Sequence, residues 1–102
     1  MIEHLKIGTD LVNISRFQKI PISSKPSFYK KIFLPSEIKY CLKFKNPHEH
    51  FAGKFAVKEA VKKSINKKVS FLEIETFHKN SKPFVMLHGK YKNQFKFDVS
   101  IS

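Results

Sequence analysis

The sequence predicts a single α+β domain over residues 1–102, in which an early strand and several helices precede a small antiparallel sheet. The clearest helical pattern spans residues 47–65, where Phe51 and Phe55 lie one turn apart. Residues 94–102 alternate between apolar and polar side chains, as a strand with one buried face does. At 102 residues, the chain is long enough for one core and too short for two independent domains.

The N-terminal third is predicted to hold one strand and two helices. Residues 5–12 are rich in apolar side chains and favour a strand, in which Gly8 permits close backbone approach and Asp10 presents its carboxylate near the strand end. Residues 13–19 should form a short helix that Pro21 stops. A proline- and serine-containing loop follows, and Pro26 suits the first turn of a helix through residue 32.

The remaining elements follow from caps, prolines and periodicity. A helix over residues 35–43 begins with a proline, although Leu34 before it is a poor cap. Asn46 and Pro47 form a good start for the long helix, whose alanines at 52, 56 and 60 allow close packing. Residues 69–77 and 84–88 are predicted to be strands, joined by a turn over residues 78–83.

Charge and composition narrow the classes of partner. The formal net charge is +12, which favours an anionic partner such as nucleic acid, a phosphate-bearing cofactor or an acidic protein. Arg16 is the one arginine among twenty Lys and Arg residues, which disfavours sequence-specific reading of DNA. The start of the chain lacks the pattern of a secretory signal and no apolar run reaches membrane-spanning length, so we expect a cytoplasmic or organelle-matrix location, of which we favour the cytoplasm, and no membrane contact.

Cysteine and histidine give no sign of a metal or thiol site. Cys41 has no second cysteine to pair with, and we expect it to be a small, half-buried hydrophobic residue. His48 and His50 lie two apart on a predicted helix and point to different faces, so a shared ion is not expected. The five histidines are interpreted as structural or surface residues.

Two carboxylates and one lysine attract attention before any family is considered. Asp10 follows a glycine near a strand end, and Glu59 lies one helical turn before Lys63, beside Ala52 and Ala56. Such a group can form a wet pocket in which carboxylates hold a hard cation and an ammonium meets a phosphate. An ordinary surface ion pair between Glu59 and Lys63 fits the spacing as well, and the spacing alone favours it.

Three sequence runs in this order resemble the holo-acyl-carrier-protein synthase family of phosphopantetheinyl transferases. They are IGTD at residues 7–10, FLPSE at residues 33–37 and FAGKFAVKEAVKK at residues 51–63. The resemblance spans nearly the whole chain. It implies a phosphopantetheinyl transferase-like fold and an enzyme that transfers 4'-phosphopantetheine from coenzyme A to a serine of apo acyl carrier protein, in fatty acid biosynthesis.

The resemblance also implies roles for individual residues. Asp10 and Glu59 are expected to bind Mg²⁺, which bridges to the coenzyme A diphosphate, and Lys63 is expected beside the phosphate being transferred. Glu59 and Lys63 are thus the expected catalytic residues, with Glu59 or a metal-bound water accepting the serine proton. A divalent ion and a lysine would neutralise the diphosphate and stabilise departing 3',5'-ADP.

Further binding residues follow from the same resemblance, each with a plainer alternative. Lys54 and Lys58 fall within the motif and are expected, with Lys63, to contact coenzyme A phosphates; solvated surface lysines are the alternative. Arg16 and Lys31, with neighbouring Lys30, are expected to dock the acidic carrier protein, or else to be generic surface charge. Phe28 is expected to contact the carrier or to pack in the core. A homotrimer with coenzyme A between subunits is also implied.

The sequence departs from the family in three places. Residues 64–68, directly after Lys63, contain no glycine, where the family usually has a glycine-rich turn, and the region at residues 89–93 is shorter than usual. Residues 99–102 resemble the family's Ser-Ile-Ser-His segment, but this sequence stops just before the histidine. The closing C-terminal strand that follows it in the family is therefore expected to be missing. A catalytically inactive or truncated member is therefore one alternative. A lysine-rich, nonspecific nucleic-acid-binding module is the other, although the core-like spacing of the phenylalanines disfavours it.

Overall fold

A computed structural model describes residues 2–8 and 11–101, and Asp10 lies outside the described residues. Within the described ranges, four α-helices and four strands follow each other in this order: β1 (Ile2–Ile7), α1 (Leu11–Lys19), α2 (Pro26–Ile32), α3 (Pro35–Cys41), α4 (Pro47–Ser64), β2 (Ile74–Lys79), β3 (Lys82–Leu87) and β4 (Lys96–Ile101). Short 3-10 helices at Phe71–Glu73 and Gly89–Tyr91 lie on either side of the β2–β3 hairpin. The α+β class that the sequence predicts is confirmed.

The strands form two ladders of opposite kinds. Strands β2 and β3 pair antiparallel, from Ile74 opposite Leu87 to Lys79 opposite Lys82. Asn80 and Ser81, both with positive φ, make the two-residue turn between them, so the turn is shorter than the sequence predicts. Strand β4 pairs in parallel with β1, which the expected small antiparallel sheet did not include. No turn fixes the relative direction of these two strands, because most of the chain lies between them.

The first strand is shorter than predicted. It ends at Ile7, and α1 already begins at Leu11, so the predicted strand over residues 5–12 is wrong at Gly8, Leu11 and Val12, while residues 9 and 10 lie outside the described residues. Leu11 and Val12 are apolar, and apolar residues fit the start of a buried helix as well as they fit a strand. Strand β2 also starts later than predicted, since residues 71–73 form a 3-10 helix.

Helix α4 joins two buried clusters. One cluster lies between α4 and the strands and consists of aliphatic residues: Leu5, Ile7, Val57, Val61, Ile65, Val69, Ile74, Leu87 and Val99. The other lies among the four helices and is mainly aromatic: Phe17, Tyr29, Ile32, Phe33, Cys41, Phe51, Ala52 and Phe55. Phe51 is central to the second cluster, with its ring centroid 4.8 Å from that of Tyr29 and 4.9 Å from that of Phe33. The position of α4 therefore depends on both clusters.

No helix among the described residues is both long enough and apolar enough to cross a membrane.

Replacing Phe51 by alanine tests the importance of the aromatic cluster. Phe51→Ala removes a ring that is 2% exposed, and we expect the free energy of unfolding to fall by about 3–5 kcal/mol, because a cavity replaces the buried ring. Met86→Ala, at a side chain that is 43% exposed, should cost less than about 1 kcal/mol. Urea denaturation followed by circular dichroism measures both values. Equal losses in the two variants would contradict this role of Phe51.

Candidate active-site cleft

A shallow cleft of about 240 Å³ opens where the end of β1 meets α1 and α4. The described residues that line it are Lys6, Ile7, Gly8, Asn13, Ala56, Glu59, Ala60 and Lys63. Asp10 belongs to the segment between Gly8 and Asn13, two residues after the first and three before the second. The cleft is thus bounded by residues on either side of Asp10 and by the Glu59 face of α4.

Helix spacing brings Glu59 and Lys63 to the cleft together. They lie one turn apart on α4, and Ala56 and Ala60 lie on the same stripe of the helix. Their methyl groups fill little volume, which leaves room beside the half-buried Glu59 and the exposed Lys63. The alanine strip differs from the prediction at Ala52, which is buried in the aromatic cluster and does not line the cleft.

Asn13 is a cleft residue that the sequence analysis missed. It lies one turn before Phe17 on the face of α1 that packs against α4, and only 8% of it is exposed. A polar residue on the buried face of an amphipathic helix was the available signal, since such groups need hydrogen-bond partners. Its carboxamide adds neutral donor and acceptor capacity to a cleft that also carries a carboxylate and an ammonium.

Lys58 does not reach the cleft. It is fully buried, and its Nζ donates to Glu37 Oε1 at 2.6 Å, to the Ile32 carbonyl at 2.8 Å and to the Phe71 carbonyl at 3.0 Å. Burial lowers the pKa of Lys58, and the hydrogen bond and charge of Glu37 oppose that shift. Because all three ammonium donors are used inside the protein, the structure corrects the expectation that Lys58 contacts a coenzyme A phosphate.

Lys54 is also held inside, one turn earlier on α4. Its Nζ lies 3.0 Å from both the carbonyl oxygen and Oγ1 of Thr76, and burial lowers its pKa. The lysine is 4% exposed and borders a different recess, near Tyr40 and His78. The structure therefore separates Lys54 from Glu59 and Lys63, contrary to the grouping predicted from the motif. Charged residues of an amphipathic helix are normally solvated, so their burial here was not expected.

The residues predicted to dock a carrier protein lie around the first two helices. Arg16 and Lys31 are exposed, on α1 and α2 respectively. Phe28 is half-buried, with its ring centroid 6.3 Å from that of Phe17 and 5.6 Å from that of Tyr29. Phe28 thus packs at the edge of the aromatic cluster while keeping part of its ring at the surface.

Cys41 has no features of a nucleophile. Its side chain is fully buried, more so than the sequence predicted, and burial raises the pKa of the thiol to about 12. Two histidines are engaged in ring contacts: His50 stacks on Phe44 at 3.6 Å and His78 on Tyr40 at 4.9 Å. Within residues 2–8 and 11–101, no three His, Cys, Asp or Glu side chains come together as a metal site would require.

Comparison with known proteins gives the family. Residues 6–101 match the family described as "ACPS: 4'-phosphopantetheinyl transferase superfamily". Because this match covers nearly the whole chain, the protein belongs to the 4'-phosphopantetheinyl transferase superfamily. Within that superfamily it groups with the holo-[acyl-carrier-protein] synthases.

Curated relatives carry the name holo-[acyl-carrier-protein] synthase. That of Caldanaerobacter subterraneus subsp. tengcongensis is 38% identical over 90 residues, covering 84% of this chain and 70% of the relative. That of Clostridium novyi is 39% identical over 106 aligned positions, covering 94% of this chain and 76% of the relative. That of Syntrophus aciditrophicus is 50% identical over 52 residues, which are 51% of this chain and 41% of the relative.

Solved structures agree in fold. The holo-[acyl-carrier-protein] synthase of Neisseria meningitidis superposes with a TM-score of 0.64 and 28% identity, covering 82% of this chain and 70% of that one. The Thermotoga maritima synthase gives a TM-score of 0.60 and 30% identity, covering 78% of this chain and 45% of that one. The chain therefore spans less than half of one solved relative and about two thirds of the other.

Alkylation tests the assignment of Cys41 as an inert residue. In the native protein at pH 8, we expect iodoacetamide to leave Cys41 unmodified, because the thiol is buried and its pKa is raised to about 12. In urea at the same pH the thiol should react completely, since its pKa returns to the usual range near 8.5. Intact-mass spectrometry measures the extent of Cys41 alkylation under both conditions. Rapid native alkylation would contradict the assignment.

Proposed function

We propose that this chain transfers the 4'-phosphopantetheine group of coenzyme A to a serine of apo acyl carrier protein. The observation that carries the proposal is that Glu59 and Lys63 open together onto one cleft that Gly8 and Asn13 also line, the described residues on either side of Asp10 in the sequence. A carboxylate and an ammonium one helical turn apart can hold a cation and a phosphate side by side. The names of the relatives support the same reaction.

The cleft residues fit a hard divalent cation. Asp10 and Glu59 would supply carboxylate oxygens, and no thiol or imidazole lies among the described residues of the cleft. Mg²⁺ favours one or two carboxylates completed by waters and phosphate oxygens, which an open cleft beside two alanines accommodates. When bound there, the ion would supply charge neutralisation to the diphosphate of coenzyme A.

The reaction forms a bond between the serine oxygen and the β-phosphorus of coenzyme A and breaks the bond from that phosphorus to 3',5'-ADP. Lys63, exposed at the edge of the cleft, would contact the phosphoryl oxygens and offset their charge as the leaving group departs. Glu59 is the one carboxylate among the described cleft residues, so it is our candidate for accepting the serine proton. The Asn13 carboxamide would orient a phosphoryl oxygen of coenzyme A by hydrogen bonding.

An acidic carrier protein suits the charge of this chain. A net charge of +12 raises the rate of encounter with an anionic protein. Arg16 and Lys31 would meet carboxylates of the carrier, and the exposed part of Phe28 would meet an apolar side chain between them. Coenzyme A would provide the second anionic ligand.

The family resemblance also bears on the location, the pathway and the oligomeric state of the enzyme. We propose a cytoplasmic enzyme of fatty acid biosynthesis that acts as a homotrimer, with coenzyme A bound between subunits. An inactive family member that keeps only the fold is the competing interpretation.

Mass spectrometry of the carrier tests the transfer reaction. With apo acyl carrier protein, coenzyme A and Mg²⁺, the carrier should gain the mass of one phosphopantetheine, and chelation of the metal should stop the gain. Asp10→Ala and Glu59→Ala should each slow transfer by about 100-fold or more, because the metal site loses a carboxylate. Glu3→Gln, on the distant end of β1, is the matched control and should retain full activity. A folded wild-type chain that gives no gain would support the inactive interpretation.

Lys63→Ala tests the phosphate contact separately. We expect kcat/KM for coenzyme A to fall about 100-fold, because transition-state charge on the phosphoryl group loses its ammonium partner. Lys79→Ala removes an exposed lysine at the far end of β2 and controls for loss of general positive charge. Similar losses in both variants would reject a specific role for Lys63.

Arg16→Ala tests docking of the carrier. The KM for the carrier should rise about 2- to 5-fold at low salt while kcat stays constant, since an exposed charge contributes to encounter and not to chemistry. Added salt should reduce the difference between variant and wild type. A KM that is unchanged at every salt concentration would place the docking surface elsewhere.

A further inference from the structure

The buried lysine of α4 lies directly beside the cleft glutamate in sequence. Lys58 and Glu59 point about 100° apart around the helix axis, because 3.6 residues complete one turn. Lys58 is fully buried against other elements, whereas Glu59 faces the cleft. Any rotation of α4 that changes the direction of Lys58 therefore changes the direction of Glu59 and Lys63 as well.

Three separate elements hold Lys58. Its acceptors are the Ile32 carbonyl at the end of α2, Glu37 Oε1 on α3 and the Phe71 carbonyl of the 3-10 helix Phe71–Glu73. Three donors thus meet three acceptors, and each hydrogen bond has a preferred direction. The ammonium group fixes α4 in relation to all three elements at once.

Glu37 is held with equal completeness. Its Oε1 accepts the backbone N–H of Leu34 at 2.8 Å in addition to Lys58. Its Oε2 accepts the backbone N–H of Thr76 at 2.8 Å and the Thr76 hydroxyl at 2.6 Å. Lys54 then donates to Thr76, so two buried lysines of α4 are linked through one carboxylate and one threonine.

Stability alone does not account well for such an arrangement. A buried ion pair costs desolvation energy, and apolar side chains of similar volume often stabilise a fold as well or better. Apolar packing, however, has no preferred direction. A rotation of α4 by about 20° would move a side-chain tip roughly 6 Å from the axis by about 2 Å. Metal and phosphate sites require placement within roughly 0.5 Å.

We propose that Glu37, through its buried bonds to Lys58 and Thr76, is a positioning residue that fixes the rotation of α4 and thereby aims Glu59 and Lys63 into the cleft. This inference rests on the proposed function, because it assumes that Glu59 binds the metal with coenzyme A. Glu37 itself lies outside the cleft and touches no substrate.

Calorimetric titration of coenzyme A at a series of Mg²⁺ concentrations tests the inference without measuring turnover. Glu37→Gln keeps the volume and part of the hydrogen bonding but removes the charge. In the wild type, Mg²⁺ should increase the affinity for coenzyme A. We expect Glu37→Gln to need about 10-fold more Mg²⁺ to reach half of this increase, which is the size of effect that residues supporting metal ligands have. Circular dichroism at the titration temperature confirms that each variant is folded.

Three further variants separate positioning from loss of stability. Thr76→Val removes one bond to Glu37 and should give a smaller shift in the same direction. Glu3→Gln, which removes a half-buried carboxylate on β1 outside the network, is the matched control and should give no shift. Ile74→Ala lowers stability from a fully buried position outside the network and should also leave the Mg²⁺ dependence unchanged.

Combination with Glu59→Gln decides whether Glu37 acts through Glu59. In that background Glu37→Gln should add no further loss of Mg²⁺ dependence, because the ligand it aims is already gone. An equal loss of affinity with and without Mg²⁺, or a loss fully additive with Glu59→Gln, would overturn the inference. Wild-type protein that binds no coenzyme A with Mg²⁺ would instead overturn the proposed function and the inference together.

Discussion

Seven residues of helix α4 between Phe51 and Val61 are buried, so the rotation of the helix about its own axis decides which of its side chains reach solvent. One stripe packs phenylalanines into the aromatic cluster, and another packs Val57 and Val61 against the strands. A third stripe carries Lys54 and Lys58 into hydrogen bonds with buried acceptors. A further stripe with Glu59 and Lys63 is more exposed, and it faces the end of β1. The cleft therefore forms where the packing and hydrogen bonding of the other α4 faces leave this stripe accessible.

Burial of charge is the unusual feature of this arrangement. Lys58 and Glu37 are both fully buried, and every buried side-chain nitrogen or oxygen among the described residues has a hydrogen-bond partner. Lys58 and Glu37 need a full set of hydrogen-bond partners, because an ionised group without partners in the protein interior is strongly unfavourable. The same network crosses from α4 to α2, α3 and β2, so the helical half of the domain and the hairpin are joined by polar bonds as well as by apolar packing.

Local signals in the sequence predicted the helices better than the sheet. Pro26 and Pro47 mark the starts of α2 and α4, and the phenylalanine spacing of α4 predicts its buried face. The parallel pairing of β1 with β4 was not predictable from turn chemistry, because no turn connects them. Helix spacing predicted that Glu59 and Lys63 share one helix face, but spacing alone favoured a surface ion pair, and their expected role at a metal and phosphate site came from the family resemblance. The partners of Lys58 were not predicted, since Glu37 lies 21 residues away and becomes a neighbour only in the folded chain.

The proposed reaction requires the α4 stripe with Glu59 and Lys63 to bind coenzyme A together with a divalent ion. A crystal structure of the chain with coenzyme A and Mn²⁺ would show whether it does, because anomalous scattering locates the ion. We expect an anomalous peak within roughly 2.5 Å of a Glu59 carboxylate oxygen and a diphosphate oxygen, with Lys63 Nζ beside the phosphate. An ion or diphosphate bound in another recess, with Glu59 and Lys63 left in solvent, would rule out this site.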